Sequence, residues 1–125
     1  MRLLTRTPAL VALLAAALLA ASACGTAGVS SGDDLANGKA LFSEKCGSCH
    51  TLADAATQGK VGPNLDDAFR GSRDQGFAES TFEQVVREQI AFPGIGLGMP
   101  ADLVTGKDAD DVAAYVARSA GSGGN

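Results

Sequence analysis

Histidine, cysteine and aromatic residues are scarce in this sequence, and each shortage excludes a class of protein. The 125 residues include one His, three Cys and no Trp, and aromatic residues make up 5% of the chain. One His excludes a poly-histidine metal centre, and three Cys exclude a framework of several disulfides. With so few aromatic side chains, a core of this size would be better filled with a large hydrophobic ligand in it.

An apolar run long enough to cross a bilayer is also missing. The longest run covers residues 9–21 and follows Arg2 and Arg6, whereas a membrane-spanning helix needs about 20 apolar residues. A short apolar run behind a positively charged start is typical of a secretory signal peptide. We therefore expect residues 1–23 to be an export signal, which leaves a mature chain long enough for one domain.

The apolar run ends in Ala21-Ser22-Ala23-Cys24, which has two interpretations. Ala-x-Ala is an ordinary signal-peptidase site, and small residues before a Cys resemble a bacterial lipobox. We favour the lipobox, because ordinary cleavage would leave an unpaired Cys as the first mature residue. We expect the exported protein at the outer face of the cytoplasmic membrane or in the periplasm. Lipidation of Cys24 would anchor it to the membrane. An uncleaved helical anchor is the remaining alternative.

The exported chain has no excess of positive charge. Two of the ten Lys and Arg residues lie in the expected signal, which leaves eight basic against 14 acidic residues and a net charge of −6. This balance argues against nucleic acid as a partner, because phosphate contacts need Lys and Arg. It favours a partner surface with basic groups, since complementary charge speeds encounter. We interpret the acidic runs at 66–67 and 108–111 as solvated helix starts.

Glycine and serine are concentrated at the two ends of the mature chain. Residues 24–32 and 120–125 have no apolar period and are typical of flexible segments. We therefore expect a flexible tether at 24–32, a single domain at 33–119 and a flexible tail at 120–125. No segment alternates polar and apolar residues convincingly, so the domain is predicted to be all-α, with long loops at 51–62 and 71–76.

Apolar residues at helical spacing predict the first helices of the domain. Asp33 or Asp34 can cap a helix that runs through Lys45. Gly38 lies inside this helix, where a Gly costs about 1 kcal/mol relative to Ala. Close approach of another helix is the usual reason for such a Gly. A shorter helical turn is expected after Pro63.

Two further helices are predicted from capping signals. Ser80 and Glu83 form a capping box, with Ser80 as the N-cap, at the start of a helix that Pro93 stops. Thr105 begins an acidic version of the same box before the last helix. The buried stripe of the last helix is expected at Val112, Tyr115 and Val116.

Cysteine and histidine are combined in the motif Cys-x-x-Cys-His at residues 46–50. This spacing is the attachment signature of c-type haem. Cys46 and Cys49 can each add to one haem vinyl group, which holds His50 under the iron as a ligand. A thioredoxin-like dithiol would need a βαβ context that the sequence lacks. A zinc site needs four ligands, usually from two separated pairs, so we expect one covalent haem c.

The second axial ligand is predicted by counting candidates. Haem iron with one His ligand commonly takes Met or a second His, and His50 is the only His of the chain. Met1 leaves with the signal, so Met99 is the one Met of the mature chain. Met99 lies in the Gly-rich segment 94–100, and glycines let the backbone lie close to a flat ligand. A Met that merely fills a gap in the core is the alternative.

The chain resembles the class I c-type cytochromes, the small mono-haem cytochrome c family, over residues 33–119. The residues that carry the resemblance match in order and spacing: Gly38 and Phe42, the motif at 46–50, the segment 61–65, Met99-Pro100, and Val112 and Tyr115. The resemblance implies a small cytochrome c-like fold with about three to five helices around one covalent haem. The residues that would bind the haem propionates are not identified by the resemblance. Arg70 and Arg73 are candidates, but we expect both side chains to be solvated.

The resemblance also implies two contacts that would position the haem. Gly38 and Phe42 would pack on Val112 and Tyr115, where the first and last helices cross. The carbonyl oxygen of Pro63 would accept a hydrogen bond from the His residue of the haem motif. That bond would fix the imidazole tautomer and direct Nε2 at the iron.

Two filled axial positions leave no iron site for a substrate, so we do not expect an enzyme. We expect a monomeric one-electron carrier between exported or membrane-bound redox protein partners, a donor and an acceptor, with no small-molecule substrate. A membrane tether would raise the effective concentration of these partners. A redox subunit of an oxidase or dehydrogenase complex is the alternative. A haem enzyme or gas sensor with a labile Met99 is a further one, which the lack of a second His disfavours.

Overall fold

The computed structural model describes residues 32–122. The predicted signal peptide, the proposed lipidation site Cys24, the tether up to residue 31 and the last three residues of the tail lie outside the described residues. Within residues 32–122, no helix is both long enough and apolar enough to cross a membrane.

Within the described residues, four α-helices dominate the fold, as expected for an all-α domain. They are α1 at Leu35–Leu41, α2 at Leu65–Asp74, α3 at Glu79–Ala91 and α4 at Gly106–Ser119. The core lies where α1 and α3 pack on α4. Because α4 is covered from both sides, most of its residues are buried, including the predicted stripe of Val112, Tyr115 and Val116.

A small antiparallel hairpin, which the sequence analysis missed, follows the haem motif. It pairs β1 at Thr51–Leu52 with β2 at Thr57–Gln58 across a 3₁₀ turn at Ala53–Ala55. Thr51 Oγ1 donates a hydrogen bond to the Gly59 carbonyl at 2.9 Å, and Leu52 N donates to Thr57 Oγ1 at 3.0 Å. Strands of two residues are too short to produce an alternating pattern. The prediction of a plain loop over 51–62 was therefore wrong.

The first helix begins as predicted but ends differently. The Asp34 side chain caps α1 by accepting hydrogen bonds from the amides of Ala36 and Asn37, both at 3.0 Å. After Leu41 the chain continues as a π-helical turn at Phe42–Cys46. This wider turn buries both Phe42 and Cys46. Helical structure thus runs through Lys45, as expected, with a change of helix type that spacing alone does not indicate.

The crossing of α1 and α4 explains the Gly inside the first helix. A Cβ atom at Gly38 would lie 2.1 Å from the Asp111 carbonyl oxygen and 2.8 Å from Tyr115 Cβ. The Phe42 and Tyr115 rings pack at a centroid distance of 6.1 Å. The contact that the family resemblance implied is therefore present. Gly38 is required there, because only a residue without a side chain lets the two backbones come this close.

The helix after Pro63 is longer than predicted. Asn64 caps α2, which then continues through residues 71–74, where we expected a loop. Contacts distant in sequence hold this last turn, since the Arg73 guanidinium donates to the carbonyl oxygens of Ala117 and Ala120. The same guanidinium lies 4.8 Å above the Phe82 ring. Arg73 is therefore engaged with α4 and α3, and its predicted solvation was wrong.

The predicted capping boxes are not formed. Helix α3 begins two residues earlier than expected, with Ala78 at the N-cap and no capping side chain, so Ser80 and Glu83 lie inside the helix. Glu79 occupies the first turn instead and forms an ion pair with Arg118 at 3.2 Å. Thr105 is at the N-cap of α4, but its side chain makes no capping bond.

Two acidic residues that we expected to be solvated are buried. Asp66 is 6% exposed and accepts hydrogen bonds from the amides of Ala53 at 2.8 Å and Gly121 at 3.0 Å. Asp111 is 2% exposed and accepts from the amide of Asp34 and from the Asn37 side chain, both at 2.9 Å. These two carboxylates join segments distant in sequence, so the interpretation as solvated helix starts was wrong for Asp66 and Asp111. Asp67 and Asp108, in the same two runs, are exposed.

The C-terminal end of the packed region extends past the predicted boundary at residue 119. Ala120 is 1% exposed and belongs to the core, and the next residue is bonded to Asp66. The folded part thus includes the first two residues of the segment that was predicted to be a flexible tail.

Candidate functional site

A largely apolar cleft opens between the haem motif, α2, α3 and the loop after α3. It consists of two adjoining cavities of about 100 and 310 Å³. The two cavities share six lining residues: Cys46, His50, Leu65, Phe69, Gln89 and Met99. Cys49 and Pro63 line the larger cavity. The cleft therefore brings together every predicted site residue of the domain.

The π-helical turn and the tight turn after it place the two cysteines at the cleft. The amides of Cys49 and His50 both point to the Cys46 carbonyl oxygen, at 3.1 and 2.9 Å. The two cysteines form no disulfide, and Cys46 is buried while Cys49 is half-buried. Burial, and to a smaller extent the neighbouring Cys49, raises the pKa of Cys46 to about 11. Without a bond to a cofactor, the Cys46 side chain is therefore a neutral thiol at neutral pH.

The His50 ring has one nitrogen fixed by the backbone. Its Nδ1 lies 2.9 Å from the Pro63 carbonyl oxygen. A carbonyl can only accept, so Nδ1 carries a proton, and in the neutral ring Nε2 is the nitrogen with a lone pair for a ligand. This is the hydrogen bond that the family resemblance implied.

Gly62 is the reason that the chain can pass so close to this ring. A Cβ atom there would lie 2.4 Å from His50 Cε1. The Gly62 amide also donates to the Cys49 carbonyl at 2.8 Å, which ties the Pro63 segment to the haem motif. The sequence analysis included Gly62 only as part of the segment 61–65, because this steric requirement depends on a contact between separate segments.

Met99 reaches the cleft from a loop that glycines make possible. Gly96 and Gly98 have φ angles of +82° and +72°, a region that favours glycine. After the loop, the Asp102 amide donates to the Ile90 carbonyl at 2.9 Å and ties the chain back to α3. Met99 is half-buried and packs against the core while lining both cavities.

Gln89 is a cleft residue that the sequence analysis missed. Its Nε2 lies 4.0 Å from Met99 Sδ. A signal for it was available, because Gln89 stands seven residues after Phe82 on the apolar side of α3, next to Ile90. A polar residue at an apolar helical position is a reason to look for a ligand or a partner.

The two arginines considered as propionate partners do not line the cleft. Arg73 is held by α4, and Arg70 forms an ion pair with Asp67 at 3.1 Å. Lys45 is the basic residue that lines the larger cavity.

The lining of the cleft fits a large flat apolar cofactor with a central metal. Val61, Leu97 and Val85 line it while 78%, 70% and 51% exposed, which is unfavourable for apolar side chains unless a ligand covers them. The donor atoms available are two thiols, one imidazole nitrogen and one thioether sulfur. Within the described residues, no group of three or more His, Cys, Asp or Glu side chains could hold a metal ion by itself.

Comparison with known proteins identifies the family. Residues 33–116 match the family described as cytochrome c oxidase, cbb3-type, subunit III. The chain belongs to this family. It is thus a c-type cytochrome with the small cytochrome c-like fold, a haem electron carrier whose cofactor is covalent haem c.

A solved structure supports the same assignment. The c-type cytochrome SorU from Sinorhizobium meliloti is 36% identical in sequence and superimposes with a TM-score of 0.53. The similarity covers 70% of this cytochrome and 91% of the SorU chain. No curated protein matches the chain.

Proposed function

We propose that this cytochrome is a mono-haem one-electron carrier in which Cys46 and Cys49 bind the haem covalently and His50 and Met99 ligate the iron. The observation that carries the proposal is the cleft, because these four side chains line it together although Met99 is distant in sequence. The domain at 33–119 supplies every residue needed, and no small-molecule substrate is required.

Each of these residues has a separate task in the proposed site. The bound haem would supply a one-electron change between ferric and ferrous iron. Cys46 and Cys49 would hold it by thioethers, each formed when a thiol S–H adds across a vinyl double bond, with sulfur bonded to one carbon and hydrogen to the other. Pro63 orients the His50 ring, so Nε2 is the nitrogen available to the iron. The thioether of Met99 favours the reduced state relative to a second His.

This assignment also explains why we propose a carrier and not an enzyme. His50 and Met99 would both ligate the iron, and this would leave no open site for a substrate or for peroxide. Electron transfer needs only an accessible edge of the cofactor, and the larger cavity is open to solvent at its rim, where Val61 and Leu97 are exposed. A partner protein, donor or acceptor, would approach this rim.

Extraction of the purified mature protein with acidified acetone tests the covalent attachment. We expect the haem to stay on the polypeptide at one per chain, and an equilibrium redox titration to follow a single one-electron curve. Cys46→Ser with Cys49→Ser should release the haem into the organic phase. Free haem from the wild type, or a titration with two components, would contradict the proposal.

A redox subunit of a larger complex is a second candidate. The description of the matching family names an oxidase subunit, which supports this candidate against a freely diffusing carrier. Pull-down of the tagged native protein separates the two. Stoichiometric co-purification with an oxidase or dehydrogenase would favour the subunit, and recovery of the cytochrome alone as a monomer would favour the carrier.

We further propose that the cytochrome is exported and anchored by a lipid on Cys24. The support is the sequence alone: a basic start, a short apolar run and small residues before the Cys. The residues up to 32 would then act as a tether between the lipid and the domain.

A further inference from the structure

Gln89 places a side-chain amide on an otherwise apolar face of the cleft. On α3, Phe82, Val85, Val86 and Ile90 follow the helical period, and Gln89 stands among them at the position seven residues after Phe82. Among the residues lining the cleft it is the only amide side chain. Once a cofactor covers the cleft, an amide there costs free energy unless it has a hydrogen-bond partner.

The hydrogen-bond acceptor that faces this amide is the Met99 sulfur. Gln89 Nε2 lies 4.0 Å from Met99 Sδ, within reach of a donated N–H···S hydrogen bond. A thioether sulfur is a weak acceptor. It has two lone pairs, so it can accept from an amide with one and bind iron with the other.

Met99 needs such a partner because neither its side chain nor its loop fixes the position of the sulfur. Its side chain is unbranched, with three rotatable bonds. The loop that carries it has two glycines at positive φ, Gly96 and Gly98. Helix α3, by contrast, is anchored by the buried side chains of Phe82 and Ile90. A bond from α3 therefore links a mobile type of side chain to a fixed element.

We propose that Gln89 is a positioning residue for Met99, with its side-chain amide donating to Sδ and holding the thioether toward the iron. This proposal rests on the proposed ligation by Met99. It adds that the strength of that ligation is set by a residue of α3 as well as by the loop. Removal of the amide makes Met99 easier for an external ligand to displace.

Imidazole binding to the ferric haem-loaded protein tests the proposal, since imidazole must displace the sixth ligand. Gln89→Leu should raise the apparent affinity for imidazole about two- to fivefold. This change corresponds to the lower part of the range of free energy that one hydrogen bond contributes net. The same variant should shift the near-infrared charge-transfer band of sulfur-ligated ferric haem. Gln84→Leu is the matched control, because the Gln84 amide is bonded to Glu88 on the same helix, away from the cleft.

A second variant covers the case in which Leu disturbs the fold. Gln89→Asn keeps the amide but shortens it by one methylene, so it should also bind imidazole more tightly than the wild type. If both Gln89 variants match the Gln84→Leu control in affinity and band position, the proposal is overturned. A wild-type protein with no such band would instead overturn the ligation by Met99, so the two failures are distinguishable.

Discussion

At the scale of single residues, the site depends on close contacts that a sequence motif does not show. The spacing of cysteine and histidine predicted the haem motif, and a count of the His and Met residues predicted Met99. The structure brings them to one cleft. The role of Gly62 was not readable, since it follows from a ring 12 residues earlier in the chain that lies where a Cβ would be. Gln89 could have been found, because it breaks the apolar period of its helix.

Gly62→Ala should disturb the proposed proximal ligand. The added Cβ would lie 2.4 Å from His50 Cε1, so the ring or the Pro63 segment must move. We expect a loss of about 1–3 kcal/mol in the free energy of unfolding, as for overpacking, and a changed ferric absorption spectrum. Gly71→Ala is the control, because a Cβ there meets nothing within 4 Å. Equal stability and identical spectra for the two variants would show that the ring has room.

The buried carboxylate of Asp111 should make stability depend on acidity. Burial alone would raise its pKa, but hydrogen bonds from Lys107, Asn37 and the Asp34 amide together hold the pKa below its ordinary value. The unfolded chain then binds a proton more readily than the folded one, so stability rises with pH through this range. The contribution is fully present above the ordinary pKa of 3.8 and is lost as pH falls through the lower folded value.

Asp111→Asn tests this pH dependence. We expect it to cost about 1–3 kcal/mol at neutral pH, since an amide cannot satisfy the same donors. The cost should shrink as chemical denaturation is repeated at decreasing pH below 4. Asp74→Asn, at an exposed helix end, is the control. A cost that stays constant from neutral to acidic pH would contradict the linkage.

At the scale of elements, the sequence predicted the existence of helices better than their ends. The apolar period of α4 and the cap at Asp34 were correct. The start of α3, the length of α2 and the hairpin were not, because each is decided by tertiary partners. Arg73 extends α2 by bonding to the end of α4, and this pairing joins residues 44 and 47 apart in the chain.

The crossing of α1 and α4 should be the most sensitive helix contact in the domain. Gly38→Val places a branched side chain against the Asp111 carbonyl, where a Cβ alone would lie 2.1 Å away. We expect a loss of about 1–3 kcal/mol from overpacking, measured by chemical denaturation of the haem-loaded protein. Ala40→Val, at an exposed position of the same helix, is the control. A Gly38→Val midpoint no lower than that of the control would mean that the crossing opens freely.

At the scale of the whole molecule, a small helical domain carries one cofactor and the sequence before it suggests a membrane tether. The domain spans nearly all of the described residues, and it matches its family over 33–116. The predicted extent of the domain was short by two residues at the C-terminal end, since Ala120 is buried and Gly121 is bonded to Asp66. No local signal in a Gly-rich end indicates such docking.

Cys24→Ser tests the proposed anchor. Mass spectrometry of the native mature chain should find Cys24 as the first residue, with a diacylglycerol adduct. The Ser variant should be recovered without the lipid and away from the membrane fraction. A wild-type chain that begins after Cys24, or that carries no lipid, would contradict the anchor and leave the haem site unaffected.

The near-infrared spectrum of the oxidised protein, wild type against Met99→Ala, tests the central claim most directly. The wild type should show the weak charge-transfer band of sulfur bound to ferric haem. Met99→Ala should abolish the band and, in the reduced state, open the iron to carbon monoxide, because the sulfur ligand is gone. It should also lower the reduction potential, because a soft thioether favours ferrous iron. A variant spectrum identical to the wild type, or rapid carbon monoxide binding by the wild type at neutral pH, would contradict ligation by Met99 and the carrier function built on it.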